Sequence, residues 1–142
     1  ILRENGPVYA KYVDYSDKWN KDVNYLVVKD INATSSKIEK AKKAGVPVIC
    51  AMGAGNRLDP TGFTVTDIYN TKDCPLARVM RRELRKKNIT DLKVVFSSES
   101  PYKEFNKTAD SQTPVIASVS FVPSAEGLIM ASEIIKDIIT LP

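Results

Sequence analysis

Residues 24–52, NYLVVKDINATSSKIEKAKKAGVPVICAM, decide the fold class. NYLVVKD (24–30) and VPVICAM (46–52) are short, valine-rich apolar runs, the pattern of buried strands. Between them, Ser36 followed by Glu39 predicts a capping-box start for the two-turn helix KIEKAKKA, and Gly45 supplies its stop. A strand, helix, strand order argues for a mainly parallel sheet with helices on its faces.

The pattern continues outward from this unit. PVYAKYV (7–13) reads as a strand upstream, and FTVTDIY (63–69) alternates as a strand should. Pro75 marks the start of a helix whose apolar face is Leu76, Val79, Met80 and Leu84, and KVVFS (93–97) is a further strand. A polar loop over 98–113 leads to a last helix with Leu128, Ala131, Ile134, Ile135 and Ile138 on a wide apolar face. Glu133, Lys136, Asp137 and Thr140 lie opposite. Burying that face on both the sheet and a second copy predicts a homodimer.

Composition restricts the chemistry. The chain has 142 residues, 43% hydrophobic and 27% charged, which fits one α/β domain. It lacks an apolar run long enough to span a membrane and an export signal at Ile1, so the expectation is a cytoplasmic protein with no membrane partner. Cys50 and Cys74 form no C-x-x-C pair, which argues against zinc. With no histidine, chemistry falls to carboxylates, lysines, arginines, thiols or a nucleotide.

Two segments carry candidate sites. AMGAGNRLDPTG (51–62) has Gly53 and Gly55 at the first two places of a dinucleotide fingerprint. Leu58 fills the third, and a turn follows instead of a helix. The loop therefore reads as a structural turn, with Asp59 capping it through an Asx-type hydrogen bond or, alternatively, facing a substrate. From 75 to 90, six basic residues oppose Glu83 alone, a net +5 where the whole chain carries +4. Arg78, Arg81, Arg82 and Arg85 share one helical face. Either polyanion phosphates or acidic side chains neutralise this stripe, or it is simply solvated. The lysines at 37, 40, 42 and 43 read as the wet face of a short helix. Cys74, at a helix start near Arg78, is either a structural thiol or a catalytic one.

AMGAGNRLDPTGFTVTDIYNTKDCPLARVMRREL (51–84) and SVSFVPSAEGLIMASEIIKDI (118–138) resemble the second half of the HesA, MoeB and ThiF adenylating superfamily, specifically its tRNA threonylcarbamoyladenosine dehydratase branch. The resemblance implies a Rossmann-like α/β fold, a homodimer, and use of ATP and Mg2+ to activate a threonyl carboxylate on tRNA, which then cyclises with loss of water. It further implies that residues 1–142 are one domain, the C-terminal portion of a ThiF-type domain whose ATP-loop half is missing, so that this chain alone is inactive. Where the family carries Asp-x-x-Asp, VVKDINATSSK supplies Lys29 and Asn32, with Asp30 taking the metal-facing role if the register slips by one. Two alternatives stay open. One is a catalytically degenerate RNA- or protein-binding subunit, and the other an enzyme that activates a ubiquitin-like or sulfur-carrier protein through Cys74.

Overall fold

The computed structural model describes residues 25–28, 34–102 and 116–140. In order these form β1 (Leu26–Val28), α1 (Thr34–Lys43), β2 (Val48–Ala51), β3 (Phe63–Asp67), a 3-10 turn (Ile68–Asn70), α2 (Pro75–Lys86), β4 (Lys93–Ser97) and α3 (Phe121–Thr140). The expected strand at 7–13 lies outside the described residues. The sheet order is β1-β2-β4-β3, with β1, β2 and β4 mutually parallel and β3 antiparallel to β4. The alternation of strands and helices thus gives the α/β architecture its order implied, with an antiparallel strand at one side.

Central strands covered on both faces need continuous apolar runs. In β2, Val48 and Cys50 face a core shared with Ile38 and Ala41 of α1 and Ala77, Met80 and Leu84 of α2, while Ile49 and Ala51 face Val122 and Met130 of α3. The result is three layers, with α1 and α2 on one side of the sheet and α3 on the other.

Helix boundaries follow local chemistry. Gly45 ends α1 in the left-handed region at φ +70°, as its position predicts. The start differs from expectation: α1 begins at Thr34, so Ser36 lies inside the helix and forms no capping box. Glu39 is engaged elsewhere, accepting from Lys43 Nζ at 2.7 Å and from Lys87 Nζ at 2.8 Å, which ties α1 to the end of α2. Helix α2 starts at Pro75, as predicted, and ends in a Schellman motif. Asn88, at φ 55°, donates its N–H to Arg85 O, and Ile89 donates to Leu84 O. Its buried stripe is Ala77, Met80 and Leu84. Val79, expected on that face, is 38% exposed because Ala77 occupies the place against the sheet.

Helix α3 reverses the expected orientation. Val122, Glu126 and Met130 are its buried residues, Glu133 and Asp137 are half-buried on the same side, and Leu128 is 72% exposed. Ala131 and Ile135 are exposed as well, whereas Ile134 and Ile138 are half-buried. Polar partners explain the turn. Asp137 accepts from Lys93 Nζ at 2.7 Å and from the Tyr25 hydroxyl at 2.7 Å, and Glu126 accepts from the Gly53 N–H. Apolar residues occur on both sides of the helix, so the buried carboxylates fix which side meets the sheet.

Two outcomes follow from this packing. Val122→Ala should destabilise the fold by about 2 kcal/mol, whereas Leu128→Gln should change it by less than about 0.5 kcal/mol. Urea unfolding at concentrations where the chain is monomeric checks both, and the reverse ranking would restore the sequence-based face. The second outcome concerns Glu39, whose carboxyl is held down to about 2, from an ordinary 4.5, by hydrogen bonds from Lys43 and then Lys87. A depressed carboxylate stabilises the fold above its unfolded value and loses that effect as pH falls through its folded one. The stability difference between wild type and Glu39→Gln should therefore be present at about pH 6 and close towards about pH 2. A gap independent of pH would contradict the ion-paired geometry.

Candidate functional site

Parallel pairing of β1, β2 and β4 brings their carboxyl ends, Val28, Ala51 and Ser97, to one edge. Open α/β sheets place ligands in the crevice outside that edge. Asp30 and Asn32, which follow β1, lie outside the described residues. The loop after β2 is described completely, and it forms the centre of the site.

Each turn of this loop has an identifiable partner. Met52 extends the ladder by donating its N–H to Val95 O at 2.9 Å. Gly53 then adopts φ +88°, and its N–H reaches Glu126 Oε1 on α3 at 3.2 Å. Asn56 pairs with Ala117 in both directions at 2.8 Å, through its backbone N–H and its side-chain carbonyl. Arg57 is 3% exposed, and its Nη1 donates to the carbonyl of Ser97 at the end of β4. Glu99, just beyond β4, accepts from the N–H groups of Leu58 at 3.1 Å and Asp59 at 3.0 Å. Asp59 Oδ1 accepts from the Thr61 hydroxyl at 2.6 Å and the Thr61 N–H at 2.7 Å, an Asx turn that holds its carboxyl below the usual range. Strand β3 follows directly, so the two glycines shape a strand-to-strand turn and open no helix.

Between this loop and the segment before α3 lies a cavity of about 150 Å3. Asn56, Arg57 and Leu58 line it with Ala117, Ser118 and Val119. The sequence reading assigned no role to Arg57, Glu99 or Glu126. For Arg57 and Glu126, the available signal was a charged residue set between glycine and apolar neighbours.

The arginine stripe divides in the folded chain. Arg81 turns back to the loop before α2, where Nη1 donates to Ile68 O at 3.2 Å, to Thr71 O at 3.1 Å and to the buried Thr71 hydroxyl. The Arg85 guanidinium sits 5.3 Å from the centre of the Tyr69 ring, a cation–π contact. Arg78 and Arg82 are exposed, and Arg82 Nε lies 3.3 Å from Glu83. Cys74 is 4% exposed and acts as the N-cap of α2. Its sulfur accepts from Ala77 N–H at 3.5 Å and donates to Met52 O at 3.9 Å, so it is a structural cap without access to a substrate in this conformation. Among the described residues, no group of three or more Cys, Asp or Glu could hold a metal ion, and no helix is long and apolar enough to cross a membrane.

The loop and α3 carry the two blocks that stand out in the sequence, and both recur in known proteins. A tRNA threonylcarbamoyladenosine dehydratase of Bacillus subtilis is 32% identical over 142 residues, covering 92% of this chain and 54% of that protein. The chain is a homologue of these dehydratases. Dehydratase 2 of Saccharomyces cerevisiae is 41% identical over 75 residues, covering 52% of this chain and 17% of its own length. The chain thus spans about half the length of the Bacillus relative. No family model matches it. In fold it is similar to the Escherichia coli dehydratase TcdA crystallised with AMP, with a TM-score of 0.67 at 20% identity, over 96% of this chain and 53% of that one. The same protein crystallised with ATP superposes with a TM-score of 0.55 at 21% identity, over 92% of this chain and 54% of that one. The likeness establishes a Rossmann-like α/β fold for the dehydratase homologue described here.

Within the stripe, Arg81 and Arg82 should separate on substitution. Arg81→Gln removes the donor to two backbone carbonyls and a buried hydroxyl and should cost about 1–3 kcal/mol. Arg82→Gln should stay within about 0.5 kcal/mol of wild type. Denaturant unfolding measures both, and equal effects would contradict the inward position of Arg81.

Proposed function

We propose that the chain is the C-terminal portion of an ATP-dependent tRNA threonylcarbamoyladenosine dehydratase and contributes its carboxyl-edge loop, an RNA-facing helix and an apolar self-association face. The observation that carries this reading is the match to the Bacillus dehydratase along 92% of the chain. The E. coli protein's crystallisation with both AMP and ATP supports a nucleotide cofactor. In this reading ATP and Mg2+ supply activation of a threonyl carboxylate on tRNA, which cyclises with loss of water. Asp30 or Asn32 faces the metal, and the ATP loop belongs to the half of the relatives that this chain does not match.

The RNA-facing role falls to α2. Arg78, Arg82 and Arg85 are exposed along one face, and the exposed Lys86 extends the charge. Arg81 serves as a positioning residue that anchors the helix. Self-association falls to α3, where Phe121, Leu128 and Ile135 recur every seven residues with exposures of 52%, 72% and 42%. That spacing is one that a second helix can cover.

Salt dependence tests the RNA reading. Each duplex phosphate neutralised should contribute about −0.9 to the slope of log affinity against log salt. The combined Arg78→Gln and Arg82→Gln substitutions should therefore lower the magnitude of the slope for tRNA by about two, with folding retained. A slope unchanged by the double substitution would remove α2 from the RNA interface.

A further inference from the structure

The cavity beside the carboxyl-edge loop contains a charge that the fold does not neutralise. Arg57 is 3% exposed, yet no carboxylate among the described residues lies within 4.0 Å of it, and its one hydrogen bond there goes to the Ser97 carbonyl. A guanidinium has five N–H donors in a rigid fork. No fully buried side-chain nitrogen or oxygen among the described residues lacks a partner. The remaining Arg57 nitrogens are therefore not sealed in protein, and they meet the open space that the residue lines. A buried cation facing a cavity is costly to maintain unless an anion completes it.

We infer that this cavity is a binding site for a short-chain carboxylate, with Arg57 as its anion clamp. The fork of Arg57 matches the two oxygens of a carboxylate. The other walls suit an aliphatic tail, since Leu58, Ala117 and Val119 present apolar carbon and Ser118 is the one further hydroxyl. The size agrees: a space of about 150 Å3 takes a benzene-sized group of about six non-hydrogen atoms. Recognition works through a side chain, so it needs none of the backbone N–H groups of a glycine-rich phosphate cradle. In this loop the N–H groups of Gly53, Leu58 and Asp59 are already bound to Glu126 and Glu99. The site stands independently of the RNA-facing helix.

Butyrate, a six-atom carboxylate, and butyramide, its uncharged isostere, are the probes. Titration of the chain with each, followed by NMR shifts of the amides of 56–58 and 117–119, should give saturable changes with butyrate in the millimolar range and none with butyramide. Arg57→Lys keeps the charge but loses the fork and should weaken butyrate about tenfold. Arg57→Met should abolish binding, and if that variant does not fold, the butyramide contrast and the lysine variant still decide. Equal binding of butyrate and butyramide, wild-type affinity in Arg57→Lys, or absence of saturation by butyrate would overturn the assignment. Inorganic phosphate binding more tightly than butyrate would overturn the carboxylate class.

Discussion

The bond from the Arg57 guanidinium to the carbonyl of Ser97 joins the loop that leaves β2 to the end of β4, its parallel neighbour. Parallel strands leave their last carbonyls and amides unpaired along one edge, and a loop crossing that edge must satisfy them. Here the sheet and its surroundings do so with side chains from three directions: Arg57 within the loop, Glu99 beyond β4 and Glu126 from α3. The loop is consequently part of the framework. Its turns at Gly53 and Asn56 and its Asx turn at Asp59 are local solutions to a path fixed at both ends.

The same constraint reaches α3. To bring Glu126 to the Gly53 amide and Asp137 to Lys93 and Tyr25, the helix turns its carboxylates towards the sheet. Val122 and Met130 between them contribute the apolar burial. The consequence is an outward row of large apolar residues, which gives the self-association reading a physical basis. On the opposite side of the sheet, Arg81 and Cys74 similarly serve the placement of α2, and the exposed cations beside them are left for binding.

What the sequence made legible was local. Gly45, Pro75 and the apolar runs at 48–51 and 93–97 mark boundaries through backbone geometry and burial alone, and those elements occur where the runs predict them. Asp59 and Thr61 are two residues apart, so their turn could be read directly. Distant pairings were not legible. Arg57 meets Ser97 across 40 positions, and Gly53 meets Glu126 across 73, and no periodicity encodes either contact. The face of α3 was misread because apolar residues line both sides and hydrophobic counting ignores partners for Glu126 and Asp137. The stripe of four arginines was visible as charge, while the inward turn of Arg81 depends on Thr71, which a helical wheel does not contain.

The central claim is that side-chain clamps hold the carboxyl-edge loop as a fixed part of the fold. Amide hydrogen exchange at Gly53, Asn56, Leu58 and Asp59 tests it most directly, since each N–H has a partner outside its own turn. The account predicts protection at all four, with Leu58 and Asp59 losing it in Glu99→Gln before the β2 amides do. Exchange of these amides at the rate of an unstructured chain, while β2 stays protected, would contradict it.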